Sequence, residues 1–190
     1  EIDAIRAAKI KTASHSIHSI VEYVKNVQAY QHGTLKMHIS SYPVKFIEKH
    51  ILDIFDYRFD QKGLIFNFDN RLDEGERISV DPVCFKNFVI SNLISNAIKF
   101  SHEGGEINFF VDRSTLGEIQ ITLQDFGIGI SPERIEHLYD EYEDTSTLGT
   151  MEETGTGFGL PTVKFFVEQF NGRIEVESSL GGGTTFKLFL

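Results

Sequence analysis

The stretch NLISNAIKFS, residues 92–101, carries polar groups in a pattern that could bind a metal ion and phosphate. Asn92, Asn96 and Lys99 recur at spacings of four and three residues, which places them on one face of a helix. Two amide oxygens and an ammonium group suit Mg²⁺ and the phosphates it bridges, because Mg²⁺ takes oxygen ligands and keeps several waters. The alternative is an asparagine pair bonded to nearby backbone, since an unpaired buried amide costs about 1–3 kcal/mol. The helix alone leaves both interpretations open.

The segment DFGIGI, residues 125–130, has features that suit a planar ring with an amino group. It follows a predicted strand directly, so Asp125 lies at the strand end, where its carboxylate can accept a hydrogen bond from an exocyclic amine. Gly127 and Gly129 allow the backbone to approach the ring closely. Alone, the segment could also be an ordinary turn.

Two further glycine-rich segments follow in the chain. GTGFGL, residues 155–160, begins a predicted helix, whose free N–H groups and positive dipole end favour an anion. GGGTTF, residues 181–186, places the Thr184 hydroxyl at the start of the last strand. Each signal is weak by itself, but all four segments occur in one order with spacings compatible with a single site.

Apolar periodicity predicts the helices that surround these segments. A heptad seam predicts an N-terminal helix that ends near Gly33 and packs against another helix. A helix that begins at Pro43 follows the polar connector GTLKMHISSYP, and Asp81-Pro82 begins a helix over 82–100. A further helix covers about 160–170. The seam consists of Ile10, Ala13, Ile17, Ile20, Val24 and Val27, and the buried side of the second helix consists of Val44, Ile47, Ile51, Ile54 and Phe55.

Alternating apolar and polar residues predict the strands. They are LIFNFD, RISV, EINFFV, EIQITLQD, RIEVES and TTFKLFL. Strands and helices are intermixed, and most strands are predicted to be hairpin neighbours. The pattern therefore predicts an α+β fold, in which helices cover one face of a mixed sheet.

Composition excludes several classes of protein. The formal net charge of −10 argues against nucleic acid as the main partner, because phosphate backbones need a basic surface. Cys84 is the only cysteine, so we expect no disulfide framework and a cytoplasmic location. No apolar stretch approaches the roughly 20 residues that span a bilayer, so we expect no membrane contact. The first residue is Glu1, so we expect a piece of a longer protein, which could be soluble or membrane-anchored.

The four polar and glycine-rich segments together resemble the asparagine box and the three glycine boxes of bacterial sensor histidine kinases. NLISNAIKFS and GTGFGL are close matches to the family strings, and the resemblance covers about residues 40–190. The wider group includes gyrase and the MutL mismatch-repair proteins. The resemblance implies a Bergerat-type two-layer α/β sandwich over 34–190, the ATP-binding catalytic domain. Residues 1–33 would be the second, coiled-coil-like helix of a dimerisation hairpin.

The resemblance also implies a role for each matching residue. Asn96, with Asn92 beside it, would hold Mg²⁺, and Lys99 would reach the phosphates; Asn92 and Lys99 are the expected catalytic residues. Asp125 would bond the adenine amine, with support from Thr184. The full set expected to contact ATP is Asn92, Asn96, Lys99, Phe100, Asp125, Gly127, Gly129, Ile130, Gly155, Thr156, Gly157, Phe158, Gly159, Leu160 and Thr184.

The resemblance implies transfer of the γ-phosphoryl group to a histidine and relay to an aspartate on a response regulator. His15 and His18 lie too close to the asparagine box and are each followed by Ser, so we expect the acceptor outside these residues. The expected partners are therefore a phosphoacceptor helix of the same or a second chain and a response regulator. The full-length protein is expected to be a homodimer.

One departure from the family supports an alternative. Residues 139–154, within the expected lid over the phosphates, include six acidic residues and no Lys or Arg, and Thr154 stands where family members carry Lys. Carboxylates near ATP repel it, so a non-catalytic regulatory module that pairs with another kinase is the alternative. An ATP-hydrolysing machine like gyrase is disfavoured, because such ATPases usually carry a Glu base where this chain has Asn92.

Overall fold

The computed structural model describes residues 36–140, 149–151 and 157–190, together with residues 21, 24, 25, 28 and 29. Residues 21, 24, 25, 28 and 29 are helical, while most of the predicted helix over 1–33 lies outside the described part of the chain. The assignment of that region to a dimerisation hairpin therefore stays a prediction.

A mixed five-stranded sheet forms one layer of the protein. Its strands are β2 (Ile65–Asn70), β4 (Glu106–Arg113), β5 (Ile119–Asp125), β7 (Gly183–Phe189) and β6 (Arg173–Ser179), in that spatial order. β2 and β4 are parallel, and the other three pairs are antiparallel. A separate two-stranded antiparallel sheet pairs β1 (Ser40–Pro43) with β3 (Arg77–Val80).

Helices form the second layer over one face of the five-stranded sheet. They are α1 (Phe46–Gln61), α2 (Pro82–Cys84), a π-helical segment π1 (Phe85–Ile90), α3 (Ser91–Phe100), α4 (Pro132–Glu136) and α5 (Gly159–Gln169). Strand residues alternate between this layer and solvent: Ile107 and Phe109 in β4 are fully buried, whereas Asn108 between them is not. The predicted α+β two-layer sandwich is confirmed.

The helix that carries the asparagines begins at a strong cap. The Asp81 carboxylate accepts hydrogen bonds from the Val83 and Cys84 N–H groups at 2.9 and 3.0 Å, as Asp81-Pro82 predicts. α2, π1 and α3 follow one another with helical backbone throughout, so the predicted helix over 82–100 is interrupted by a π turn. There the Ser91 N–H bonds to the Lys86 carbonyl, five residues earlier. The extra residue in this turn shifts the phase of α3 relative to the start of the helix.

Two details of the prediction for the connector and the start of α1 were wrong. The connector GTLKMHISSYP contains β1, and α1 begins at Phe46 because Pro43 is the last strand residue. Strand β1 was missed because its pairing with β3 is made by backbone groups, while Ser40 and Ser41 are exposed and give no apolar alternation.

Ile54 was predicted on the buried side of α1, but 49% of it is exposed. The buried residues Ile47, Ile51, Phe55 and Phe59 recur every four positions. Their stripe therefore runs obliquely around the helix and leaves Ile54 facing outward. Among the described residues, no helix has the length and apolar character needed to cross a membrane.

Candidate nucleotide-binding site

The two asparagines of α3 lie against the first residue of α5. The Asn92 amide nitrogen donates to the Phe88 carbonyl at 2.7 Å, one turn back along the same helix. A Cβ placed on Gly159 would lie 3.3 Å from Asn92 Oδ1 and 4.0 Å from Asn96 Nδ2. The Asn92 oxygen therefore faces the N-terminal end of α5 while its nitrogen is held by backbone. The structure thus brings the asparagine face and the second glycine segment together.

Lys99 and Phe100 form a pair at the end of α3. Lys99 is buried, and its Nζ lies 4.6 Å from the centroid of the half-buried Phe100 ring. A cation at this distance from an aromatic face is attracted by the ring. In this structure the ammonium group therefore contacts the neighbouring aromatic side chain, which is also one of the residues expected to contact ATP.

Asp125 is a buried carboxyl group at the end of β5. Only 5% of the residue is exposed, and Oδ1 accepts a hydrogen bond from the Gly127 N–H at 3.0 Å. Burial raises the pKa of this carboxyl group to about 6, although hydrogen bonds from the Gly127 and Thr184 backbone N–H groups oppose the rise. Asp125 is thus mainly ionised at neutral pH, and it lies opposite Thr184 in the pairing of β5 with β7.

The first glycine segment packs directly on the end of α3. The Ile128 N–H donates to the Phe100 carbonyl at 3.1 Å. A Cβ on Gly127 would lie 2.0 Å from that same carbonyl oxygen, so no other residue fits at this position without a backbone shift. The contact joins the segment that carries Asp125 to the helix that carries the asparagines.

Ser178 connects the first and third glycine segments. Its Oγ donates to the Gly183 carbonyl at 2.7 Å, accepts from the Ile130 N–H at 2.8 Å, and lies 3.0 Å from Thr184 Oγ1. Gly129, beside Ile130, has φ +68°, and a Cβ there would lie 1.9 Å from the Ser179 carbonyl oxygen.

Sequence reasoning missed Ser178. The signal that could have identified Ser178 is the strand register, because Ser178 lies directly opposite the predicted site residue Thr184 in the hairpin of β6 and β7.

The remaining predicted site residues are divided between described and undescribed parts of the chain. Gly155 and Thr156 lie outside the described residues. Gly157 has φ +74°, and the Phe158 carbonyl accepts a hydrogen bond from the Thr162 hydroxyl at 2.6 Å inside the first turn of α5. Leu160 is half-buried against the core. The arrangement therefore brings the asparagines of α3 next to Gly159 and places a carboxyl group at the end of β5. Glycine-rich segments lie beside both.

The asparagine pair suits Mg²⁺ only together with a ligand that supplies further oxygens. Mg²⁺ prefers octahedral oxygen coordination, and two amide side chains offer two neutral oxygens. Within residues 36–140 and the shorter described segments, no group of three or more His, Cys, Asp or Glu side chains could hold a metal ion. The donor set therefore fits an ion that arrives bound to phosphate, as Mg–ATP does.

A comparison with known protein families matches the part of the chain that carries the asparagines and the glycine segments. Residues 87–190, more than half of the chain, match the family described as histidine kinase-, DNA gyrase B- and HSP90-like ATPases. A curated relative, the autoinducer 2 sensor kinase/phosphatase LuxQ of Vibrio vulnificus (strain CMCP6), is 35% identical over 132 residues. The alignment covers 67% of this chain and 15% of that relative, so this chain spans less than a fifth of its length.

Solved structures share the fold. The nucleotide-free catalytic domain of histidine kinase ThkA superposes with a TM-score of 0.67 at 22% identity, covering 81% of this chain and 95% of that one. The structure of ThkA in complex with the response regulator protein TrrA gives a TM-score of 0.69 at 17% identity, covering 93% of this chain and 48% of that one. The mixed sheet and its helical layer are thus those of histidine kinase catalytic domains.

Proposed function

This chain belongs to the histidine kinase-, DNA gyrase B- and HSP90-like ATPase family, and we propose that it binds Mg–ATP and transfers the γ-phosphoryl group to a histidine outside these residues. It is the ATP-binding catalytic domain of a sensor kinase. In the parent protein, the phosphohistidine then supplies an aspartate on a response regulator. The activity is that of a protein-histidine kinase in a two-component system.

The contact between Gly159 and the two asparagines supports this proposal most directly. It places the N-terminal end of α5, whose first N–H groups have no acceptor within the helix, beside Asn92 Oδ1. A helix of 11 residues presents a positive dipole end there, which favours phosphate oxygens. Phosphate oxygens and a metal ion that binds oxygen ligands can therefore lie together between the start of α5 and the asparagines.

Asp125 accounts for the other end of the nucleotide. Its buried carboxylate accepts from the exocyclic amine of adenine. Gly127 and Gly129 allow the close backbone packing that holds the segment after Asp125 in place. Thr184, buried and opposite Asp125 in the sheet, supports the carboxylate through its backbone N–H. Phe100, Ile130, Phe158 and Leu160 supply apolar surface around the site.

Positioning and charge neutralisation are the main contributions of this domain to phosphoryl transfer. Asn92 and Asn96 would hold Mg²⁺ through their amide oxygens, and the ion would supply positive charge to the phosphate oxygens. Lys99 adds a second cation, and its contact with Phe100 gives the ammonium group a defined starting position. No side chain of this chain is a covalent nucleophile in the proposal.

The proposed partners are an acceptor helix, from the same or a second chain, and a response regulator. The solved complex of ThkA with TrrA supports the second partner by analogy with a protein of the same fold. Dimerisation through the N-terminal helix and a cytoplasmic location belong to the same proposal.

A non-catalytic regulatory module is the second candidate. The observation that favours it is the acidic segment 139–154, which offers ATP no Lys or Arg. Such a module would keep the fold, bind nucleotide weakly or not at all, and pair with another kinase through the N-terminal helix.

Calorimetric titration with a non-hydrolysable ATP analogue, with and without Mg²⁺, separates the two candidates. Mg²⁺-dependent binding is expected for the kinase domain, and phosphorylation of a separately supplied acceptor hairpin should then follow with ATP. Absence of binding by a folded sample would contradict the kinase proposal and favour the regulatory module.

A further inference from the structure

The C-terminal end of α3 is capped by residues from three distant parts of the chain. The last four carbonyls of a helix have no partner within it. Here the Ala97 carbonyl accepts from the Ser101 N–H and hydroxyl at 3.0 and 2.7 Å, and the Phe100 carbonyl accepts from Ile128. The carbonyls of Ile98, Lys99 and Ser101 find donors outside the helix and outside the glycine segments.

Lys62 supplies one of these donors. Only 3% of this residue is exposed, and its Nζ donates to the Ile98 carbonyl at 2.7 Å and to the Lys99 carbonyl at 3.0 Å. A cation at a helix C-terminus also opposes the negative end of the helix dipole. Lys62 therefore fixes the last turn of α3 from the side of α1, which it follows directly in sequence.

Thr150 supplies the other donors. Its N–H donates to the Lys99 carbonyl at 3.1 Å, and its hydroxyl lies 2.6 Å from the Ser101 carbonyl oxygen and 3.3 Å from that of Lys99. A hydroxyl has one proton, so the short bond to Ser101 is the main one. Thr150 thus holds the 99–100 and 101–102 peptide units, which flank Phe100 and Ser101.

We propose that Thr150 is a positioning residue for the nucleotide site, and that it acts by fixing Lys99 and Phe100 through these two carbonyls. The proposal rests on the proposed nucleotide-binding function. A residue that holds the carbonyls of 99 and 101 restrains the backbone from which the Phe100 ring and the Lys99 ammonium group project. The two side chains are themselves in contact, so a shift of one peptide unit disturbs both.

The surroundings of Thr150 argue against a role in overall stability. Gly149 and Thr150 are half-buried, lie outside helices and strands, and are followed by Met151, which is 57% exposed. The buried hydrophobic core does not include any of the three. Loss of the Thr150 hydroxyl should therefore affect the site more than the fold.

The test compares four forms of the full chain: wild type, Thr150→Val, Thr150→Ser and Thr122→Val. Valine keeps the shape and the backbone N–H but removes the hydroxyl, whereas serine keeps the hydroxyl. Thr122 is a matched control, because its hydroxyl accepts a hydrogen bond from Gln120 within β5, away from α3. Each form is titrated with Mg²⁺ and a non-hydrolysable ATP analogue well below its unfolding temperature, and thermal unfolding is measured without nucleotide.

We expect Thr150→Val to weaken binding by about five- to tenfold, as loss of one hydrogen bond allows, with an unfolding midpoint within about 4 °C of wild type. Thr150→Ser and Thr122→Val should bind as wild type does. Unchanged affinity in Thr150→Val, or a loss that Thr150→Ser shares, overturns the proposal. A Thr150→Val variant that no longer folds cooperatively overturns it too, because Thr150 would then be a stability residue. If wild type itself does not bind, the proposed function fails first and the inference falls with it.

Discussion

At the scale of single residues, Asp125 has the most unusual chemistry in the candidate site. Burial raises its pKa to about 6 from an ordinary value of 3.8. The carboxyl group must be ionised to accept from an adenine amine, so protonation competes with nucleotide binding. The pH dependence of affinity therefore reports on this residue directly.

We predict that affinity for the nucleotide rises with pH through about 6. One pH unit below the pKa, about nine-tenths of Asp125 is protonated, so the Asp125-dependent part of binding should be about tenfold weaker at pH 5 than at pH 8. Asp125→Asn should bind weakly at all pH values. Wild type and Asp125→Asn are titrated calorimetrically with the same analogue, so protonation of the analogue's phosphates affects both equally. Identical pH profiles of the two forms would contradict the assignment of Asp125 to the adenine amine.

The same pKa shift predicts an effect on stability without nucleotide. Between pH 3.8 and about 6 the native state binds more protons at Asp125 than the unfolded state does. The contribution of Asp125 to the free energy of unfolding therefore falls as pH rises through this window. Asp125→Asn should accordingly be as stable as wild type or more stable at pH 7, by a gain on the order of 1–2 kcal/mol, in thermal or urea unfolding. A large loss of stability would contradict the buried, unfavourable charge.

A substitution at Asn96 tests the site proposed for the phosphates of the nucleotide. Asn96→Asp places a negative charge beside the phosphates, so we expect affinity for Mg–ATP to fall by at least about tenfold, equivalent to ~1.4 kcal/mol, without loss of fold. Asn87→Asp is the matched control, because Asn87 lies on the exposed side of π1 in the same continuous helix. If both Asn96→Asp and Asp125→Asn kept wild-type affinity, the site assignment would be wrong.

At the scale of elements, close backbone packing links the glycine segments to α3. Gly127 lies against the Phe100 carbonyl. Gly183 has φ +78°, and a Cβ on it would lie only 2.0 Å from the Asp125 carbonyl oxygen. Such contacts exclude any side chain, so these glycines are required by packing. They set the distance between the asparagine face and the acidic strand end.

We predict that Gly127→Ala destabilises the protein and abolishes nucleotide binding. Its Cβ would meet the Phe100 carbonyl oxygen at 2.0 Å, so the segment or the end of α3 must move, at a cost of about 2 kcal/mol or more. Gly75→Ala is the control: nothing lies within 4 Å of its added Cβ, and we expect a change below about 0.5 kcal/mol. Urea unfolding and titration of both variants check the prediction, which equal effects of the two substitutions would contradict.

At the scale of the whole molecule, the net charge of −10 opposes the approach of ATP. Residues 139–154 contribute six of the acidic groups, and most of them lie outside the described part of the chain. The positive end of α5 and Lys99 must therefore compensate locally for a long-range repulsion.

Thr154→Lys is predicted to reduce this repulsion. The substitution restores a cation where family members carry one, so affinity for ATP or the rate of transfer should rise, and the gain should shrink as salt screens the charge. Thr154→Gln, of similar length but neutral, is the control. If Thr154→Lys changes neither affinity nor transfer at low salt, the acidic segment does not limit the activity.

The sequence by itself determined which polar and glycine residues share an element, and it predicted most of the elements of this protein. The Asn92–Asn96–Lys99 spacing, the strand end at Asp125 and the glycine segments are local patterns, and alternation predicted all strands except β1. Local patterns fail where backbone pairing or phase decides, as in β1, in the outward turn of Ile54 and in π1.

Only the tertiary structure could decide which distant groups meet. The contact of Gly159 with the asparagines joins segments more than 60 positions apart, and the bonds of Ser178, Lys62 and Thr150 depend on the paths of several elements. The raised pKa of Asp125 has the same origin, because burial is produced by residues from the whole fold. Spacing along the chain fixes which side chains share an element, whereas proximity between elements and exclusion of water arise only when those elements pack.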